Sequence, residues 1–347
     1  YEVHIACGIT DKKEYLEDLG FIVHPLSISR SGTSVKTEIK IIIEIYKIIK
    51  SIDSHVLEFF TIKPVLYGGI VSRFLKIPKK VFYITGLGYV FIAKGLKGFI
   101  VRNIVKMLYK LAISGKNSSI ITENIYDKEL INSLNAVNDN QIKIIRGAGV
   151  DLSKYSYIEE KNENIKVSMA CRLLKDKGVF EYIEASKILK KKYLNVKFEL
   201  YGDIDIHNPA SLTSYDIKKI KEEGFVNVYG FSSDIAKVFS DSNIIVLPSY
   251  REGLPKVLIE AAACGRAVVT TDVPGCRDAI EPNVTGLLCE VKDIESLARM
   301  IEKLIIDEKL RNRMGYEGRK LAEQEFDINK VVEKHFEIYE GRVWKNY

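Results

Sequence analysis

The chain has 347 residues, 46% hydrophobic and 28% charged, with 52 Lys and Arg against 46 Asp and Glu. At about 150 residues per domain this length predicts two domains, and the composition excludes disordered, collagen-like and low-complexity classes. Five cysteines with no C-x-x-C pair exclude a disulfide framework and argue against structural zinc, and no run of 18 uncharged apolar residues marks a membrane span or a signal peptide.

In chain order, apolar runs at 3–6, 56–60, 81–85, 119–122 and 142–145 predict strands, with helices at 39–51, 63–75 and 98–114 between them. The polar stretch 158–164 reads as a linker. Beyond it, strands at 165–170, 196–201, 227–231, 244–247 and 267–271 alternate with helices at 178–193, 234–240 and 255–263, and helices after Ile294 finish the chain. Short, continuously apolar strands separated by helices predict parallel sheets covered on both faces. The expected architecture is therefore α/β, with two Rossmann-like domains (1–160 and 161–325) facing a cleft. A helical segment, 326–347, crosses back over them, anchored by Phe336, Tyr339 and Trp344.

The basic excess is uneven. Residues 1–160 hold 22 basic and 16 acidic residues, a net +6, and the remainder is neutral. From Thr61 to Thr122 eleven basic residues occur with no acid. On a helix, Ile100, Ile104, Met107, Leu108 and Leu111 share one side, while Arg102, Lys106 and Lys110 share the other. This pattern predicts an anionic membrane surface as partner, contacted through Lys63, Lys94, Lys97, Arg102 and Lys106, since each cation contributes about 1 kcal/mol near an anionic leaflet. No nucleic-acid-binding motif accompanies the charge.

Two loops carry the candidate chemistry. In 247–265 a strand ends, a glycine turn follows, and a helix opens after Pro255, which presents backbone N–H groups to an anion. Glu252 falls in that loop and Glu260 on the helix, where an acid among Leu258, Ile259 and alanines needs a partner. That partner is either a core basic group or the hydroxyls of a polyhydroxyl ligand. In 169–179, Arg172 and Lys177 follow a strand and precede a helix, the position at which a diphosphate is neutralised. Asp203-Ile-Asp205 is a D-x-D pair read as a chance occurrence rather than a metal site, and Gly68-Gly69 reads as close helix packing.

Together, Gly149-Val150-Asp151, Arg172 and Lys177, Gly202-Asp203, Gly230, the E-x7-E pair Glu252/Glu260, and Gly286-Leu287-Leu288 resemble the retaining nucleotide-sugar glycosyltransferases of family 4, which have the GT-B fold. Phe60-Thr-Ile-Lys63-Pro64 and Thr85-Gly86-Leu87-Gly88-Tyr89 are similar to the branch of bacterial N-acetylgalactosaminyltransferases acting on undecaprenyl-diphosphate-linked sugars. The resemblance implies that Arg172 and Lys177 hold the donor diphosphate and that Glu260 binds the ribose. It implies that Glu252, the candidate catalytic residue, binds the donor sugar with the backbone of Gly253, Leu254 and Pro255. Gly202 and Gly230 mark the nucleotide-base region. The partners implied are a nucleotide sugar, taken as a UDP-sugar, and a polyprenyl-diphosphate-linked sugar, at the cytoplasmic face of the inner membrane. No cofactor and no metal are expected.

The chain departs from that family in two ways. Its first strand resembles the family's second, so about 30 residues, one βα unit, are expected to be missing ahead of Tyr1. Many relatives place a histidine after the strand at 81–85, where Gly86-Leu87-Gly88 stands here. Two rival readings remain from the sequence: a nucleotide-sugar 2-epimerase of the same architecture, and a non-catalytic nucleotide or sugar binder.

Overall fold

Among the described residues the strands form three parallel sheets, of two, four and six strands, and the continuous apolar runs lie in the two larger ones. In this computed structural model residues 1–8, 12–28, 34–85, 95–160 and 164–341 are described, residues 96–98 by backbone alone. The chain divides into two compact units, one of Tyr1–Thr122 and Asp127–Ile144, the other of Glu123–Tyr126 and Ile145–Tyr347.

The first unit runs β1 (His4–Gly8), α1 (Lys13–Asp18), β2 (Ile22–Leu26), α2 (Val35–Ser51), β3 (Val56–Phe60), α3 (Ile62–Ser72), β4 (Lys79–Ile84), α4 (Gly95–Ile113), β5 (Ser118–Thr122), α5 (Ile125–Asn132) and β6 (Ile142–Ile144), with the start of α5 counted in the second unit. β1 pairs with β2 in parallel, and β3-β4-β5-β6 form a second parallel sheet. Val81, Phe82, Tyr83 and Ile84 are all buried, which is why β4 reads as an unbroken apolar run. On α2, Ile41, Ile45 and Ile49 recur at i+4 and are its buried residues. Glycine lets α3 approach its neighbours. A Cβ on Gly68 would lie 2.2 Å from the Phe59 ring, and one on Gly69 2.8 Å from the Ala112 methyl.

The second unit runs β7 (Lys166–Ala170), α6 (Val179–Lys192), β8 (Lys197–Tyr201), α7 (Ser214–Glu223), β9 (Asn227–Gly230), α8 (Ile235–Ser240), β10 (Ile244–Leu247), α9 (Lys256–Ala263), β11 (Ala267–Thr271), β12 (Gly286–Cys289), α10 (Ile294–Ile306), α11 (Glu308–Leu321) and α12 (Ile328–Glu340). Its sheet is parallel throughout, in the order β12-β11-β10-β7-β8-β9. The chain moves outward from β7 to β9, then returns to the other side of β7 as β10. The strand order therefore reverses between β7 and β10, and a crevice at the carboxyl ends of such a pair is where open α/β sheets bind ligands.

The predicted boundary at 160 differs from the observed passage at Ile145. Residues 145–160 are tied into the second unit by specific bonds. The Val150 N–H donates to the Phe326 carbonyl at 2.7 Å, the Ile328 N–H donates to the Val150 carbonyl at 3.1 Å, and Glu160 forms a buried ion pair with Arg311 at 2.6 Å. The residues after 325 also pack in this unit, through α12, while Trp344 lies outside the described residues.

Candidate active site

β7 and β10, the two strands flanking the switch point, each release a loop that carries a predicted residue. After β7, Arg172 leads into a single 3-10 turn, Lys175–Lys177, closed by Gly178 at φ 75°. A Cβ on Gly178 would lie 2.2 Å from the Pro248 carbonyl oxygen, so only glycine lets the two loops touch. The Tyr250 N–H donates to the Asp176 carbonyl at 2.8 Å, and Ser249 Oγ donates to the same oxygen at 3.2 Å. The main chain thus sets Lys177 beside Glu252, and Lys177 Nζ is ion-paired with Glu252 Oε1.

Beyond Glu252, Pro255 is the N-cap of α9. Proline has no N–H, so the predicted backbone contribution of Gly253, Leu254 and Pro255 is corrected. Gly253 and Leu254 carry donors and Pro255 does not. The Gly253 carbonyl accepts from Asn124 Nδ2 at 2.9 Å. The turn after β11 closes on the same backbone. A Cβ on Gly275 (φ 82°) would lie 2.5 Å from the Glu252 carbonyl oxygen.

Glu260 is the fifth residue of α9 and is 6% exposed. Its partner is not a core basic group. Tyr155 donates its hydroxyl to Oε1 at 2.8 Å, and Lys256, one turn earlier, approaches the same oxygen at 3.5 Å. Burial first, then the Glu260 hydrogen bond, pushes the Tyr155 hydroxyl well above its ordinary range, so it remains a donor.

Arg172 Nη1 lies 3.2 Å from Asp205 Oδ2. Asp205 belongs to a lobe stitched over the end of β7. The Lys175 N–H donates to Ala210, the Leu212 N–H to Leu173, and the Asp205 N–H to Ser211 Oγ. Gly202 adopts φ 139°, where a Cβ would lie 1.8 Å from the Cys171 carbonyl oxygen, and its N–H donates to the Gly230 carbonyl at 2.7 Å. The two glycines thus meet at the carboxyl ends of β8 and β9, next to Phe231, which is 74% exposed. Cys171 and Cys276 carry thiols pushed up to about 12, first by burial. They stay protonated at neutral pH and are not nucleophiles.

In the first unit, Lys63 Nζ pairs with Glu38 Oε1 at 2.7 Å. Lys94 and the segment 86–89 lie outside the described residues, as does the Lys97 side chain. On α4 the apolar residues divide between two faces. Val105, Leu108, Tyr109, Ala112 and Ile113 pack into the core, whereas Phe99, Ile100, Ile104, Met107 and Leu111 are exposed. Arg102 and Lys106 are half-buried on the same helix, and Arg102 lies over the Phe99 ring at 5.8 Å. No helix among the described residues is long and apolar enough to cross a membrane.

The structure thus brings together Lys177 with Glu252 and Gly202 with Gly230. Asp205 was visible only as half of a D-x-D pair, and its engagement with Arg172 depends on a lobe that spacing does not reveal. Tyr155 and Asn124 carry no sequence signal, because each meets its partner across more than a hundred residues.

Comparison with known proteins gives two family matches, "Glycosyl transferases group 1" over residues 155–321 and "Glycosyl transferase 4-like" over residues 1–124. The chain is 31% identical to the N,N'-diacetylbacillosaminyl-diphospho-undecaprenol alpha-1,3-N-acetylgalactosaminyltransferase of Campylobacter jejuni, over 99% of this chain and 92% of that protein. It is 27% identical to the capsular polysaccharide biosynthesis glycosyltransferase CapM of Staphylococcus aureus, over 97% and 89%. Among solved structures, Anabaena HepE in complex with UDP matches with a TM-score of 0.76 at 18% identity, over 97% and 92%. WaaG, a glycosyltransferase involved in lipopolysaccharide biosynthesis, matches with a TM-score of 0.72 at 16% identity, over 98% and 92%. At those identities the two structures establish the shared GT-B fold.

Proposed function

The chain belongs to the group 1 glycosyltransferases, and from that premise we propose that it is a retaining enzyme that moves a sugar from a UDP-sugar to a sugar carried on a polyprenyl diphosphate. The product would enter a surface polysaccharide, an O-antigen or a glycoprotein glycan. The observation that carries this reading is the meeting of Lys177 and Glu252 at the switch point, one a cation suited to phosphate, the other a carboxylate suited to sugar hydroxyls.

In this reading Arg172 and Lys177 take the donor diphosphate, assisted by the N–H groups that open α9. Glu260, oriented by Tyr155, accepts from the ribose hydroxyls. Glu252 accepts from hydroxyls of the donor sugar beside the Gly253 and Leu254 amides. As the bond from the anomeric carbon to the diphosphate oxygen breaks, negative charge grows on the diphosphate, where the cations stabilise it most. The acceptor hydroxyl forms its bond on the face the diphosphate leaves, and its proton passes to the departing oxygen. This route needs no protein nucleophile, in keeping with the protonated Cys171. No metal or cofactor is assigned a part.

The proposal places the protein peripherally, on the cytoplasmic face of the inner membrane. The exposed apolar stripe of α4 beside Arg102, Lys106 and Lys110 supports this, since an amphipathic basic helix lies in a bilayer interface.

The test is transfer itself. The protein is incubated with radiolabelled nucleotide sugars and detergent-solubilised polyprenyl-diphosphate sugars, and label is counted in the lipid fraction. Label from one donor is the expected result. Binding of UDP with no label from any donor and acceptor pair in the panel overturns the lipid-linked acceptor.

A further inference from the structure

Both cations proposed to receive the diphosphate hold carboxylates, Arg172 with Asp205 and Lys177 with Glu252. The two pairs differ in setting. The Arg172 side chain is 57% exposed, so water screens its pair. The Lys177 and Glu252 side chains are only 18% and 12% exposed, and the backbone bonds between their loops hold them adjacent whatever their charges. Separating such a pair leaves an enclosed charge without its counter-ion, which is costly.

We infer that the Lys177–Glu252 pair is a latch that makes the site favour the intact nucleotide sugar over the nucleoside diphosphate left after transfer. The inference rests on the donor-site reading above. A diphosphate must draw Lys177 away from Glu252. When the diphosphate carries its sugar, the sugar hydroxyls donate to Glu252 and replace the lost ammonium. When the sugar has gone to the acceptor, Glu252 is left unpaired and competes for Lys177 again. Re-forming the pair weakens the hold on the product and helps expel it. Glu252 then acts twice, on the sugar directly and on product release through Lys177.

The experiment is calorimetric titration of the full chain with UDP and with UDP-N-acetylgalactosamine. Glu252→Gln removes the charge and keeps the shape. The latch requires this variant to bind UDP more tightly, by about tenfold, because a charged partner no longer competes for Lys177. It also requires the preference for the sugar-bearing ligand over UDP to shrink. A second step isolates the pair. In a Lys177→Gln background the same Glu252→Gln change has no ammonium to release, so its effect on UDP should fall to within about twofold. Unchanged or weaker UDP binding by the single variant overturns the latch. So does an equal gain in the Lys177→Gln background, which means that Glu252 merely repels the ligand. If the wild-type chain binds neither UDP nor the sugar nucleotide, the donor-site reading fails and takes the latch with it. Thermal melts of each variant show whether the fold is retained.

Discussion

Glu38 accepts from two donors at once, Lys63 Nζ on one carboxylate oxygen and the Tyr67 hydroxyl on the other, both at 2.7 Å. The Lys63 hydrogen bond first, then that of Tyr67, holds its carboxyl below the ordinary 4.5. A carboxyl whose pKa is lowered on folding adds stability that is complete above the unfolded value and lost as pH falls through the folded one. Glu38→Gln removes that titration. The variant should melt lower than wild type at pH 7, and the gap should close as pH drops below about 4.5. Circular dichroism melts from pH 7 to pH 3 read this directly, and a gap that stays constant with pH would show that the Glu38 charge contributes nothing. Asp139 and Glu44 also have lowered carboxyls, but they are common to both proteins and cancel in the difference. At this scale the sequence was legible only where chemistry sits at a fixed offset. Glu252 and Glu260 stand eight apart around a helix start, and Arg172 and Lys177 both lie between a strand end and the next helix start. Glu38, Asp205, Tyr155 and Asn124 meet their partners through the fold, and no spacing announces them.

At the scale of elements, α3 lies against β3 and α4 because two of its residues lack side chains. Gly68→Ala would place a methyl 2.2 Å from a Phe59 ring carbon. That ring is buried and stacked on Phe82, with centroids 5.2 Å apart, so it has no easy retreat. The overpacking cost, about 1–3 kcal/mol, exceeds the roughly 1 kcal/mol that alanine gains over glycine in a helix. The urea midpoint should fall, and Phe59→Leu in the same chain should restore part of it. A midpoint at or above wild type would mean that α3 shifts freely. Strands buried on both faces were legible from their apolar runs. β2 was not, because its Pro25 contradicts a central strand and fits an edge, where it is tolerated. α1 has no buried residue and α7 has only Ile220, so neither shows an apolar period, although the Thr213–Asp216 capping box that starts α7 was there to be read. On α4 the predicted stripe is exposed at Ile100, Ile104, Met107 and Leu111, but Leu108 belongs instead to the packed face, with Val105, Tyr109, Ala112 and Ile113.

Across the whole molecule, charge and chemistry divide between the two units. Arg172, Lys177, Gly202, Gly230, Glu252 and Glu260 all belong to the second, while the first holds the cation excess, 20 Lys and Arg against 12 Asp and Glu. If α4 serves to dock the enzyme where its lipid-borne acceptor lies, its role must separate from donor binding. Ile104 and Met107 are 49% and 63% exposed, so replacing both by Asp disturbs little of the core. Each such side chain contributes about 1.5–3 kcal/mol when it enters an apolar phase, whereas each neighbouring cation contributes about 1 kcal/mol. The Ile104→Asp, Met107→Asp double variant should therefore lose more than about a hundredfold in affinity for anionic vesicles. Raising NaCl, which shortens the screening length, should weaken the wild type only in part, because the apolar contribution is insensitive to screening. UDP affinity should be unchanged in the variant. Transfer to an acceptor embedded in vesicles should collapse, and transfer to a short-chain acceptor in solution should persist. Loss of both transfers together would place α4 in acceptor recognition rather than docking, and loss of neither would remove the membrane from the account of this helix.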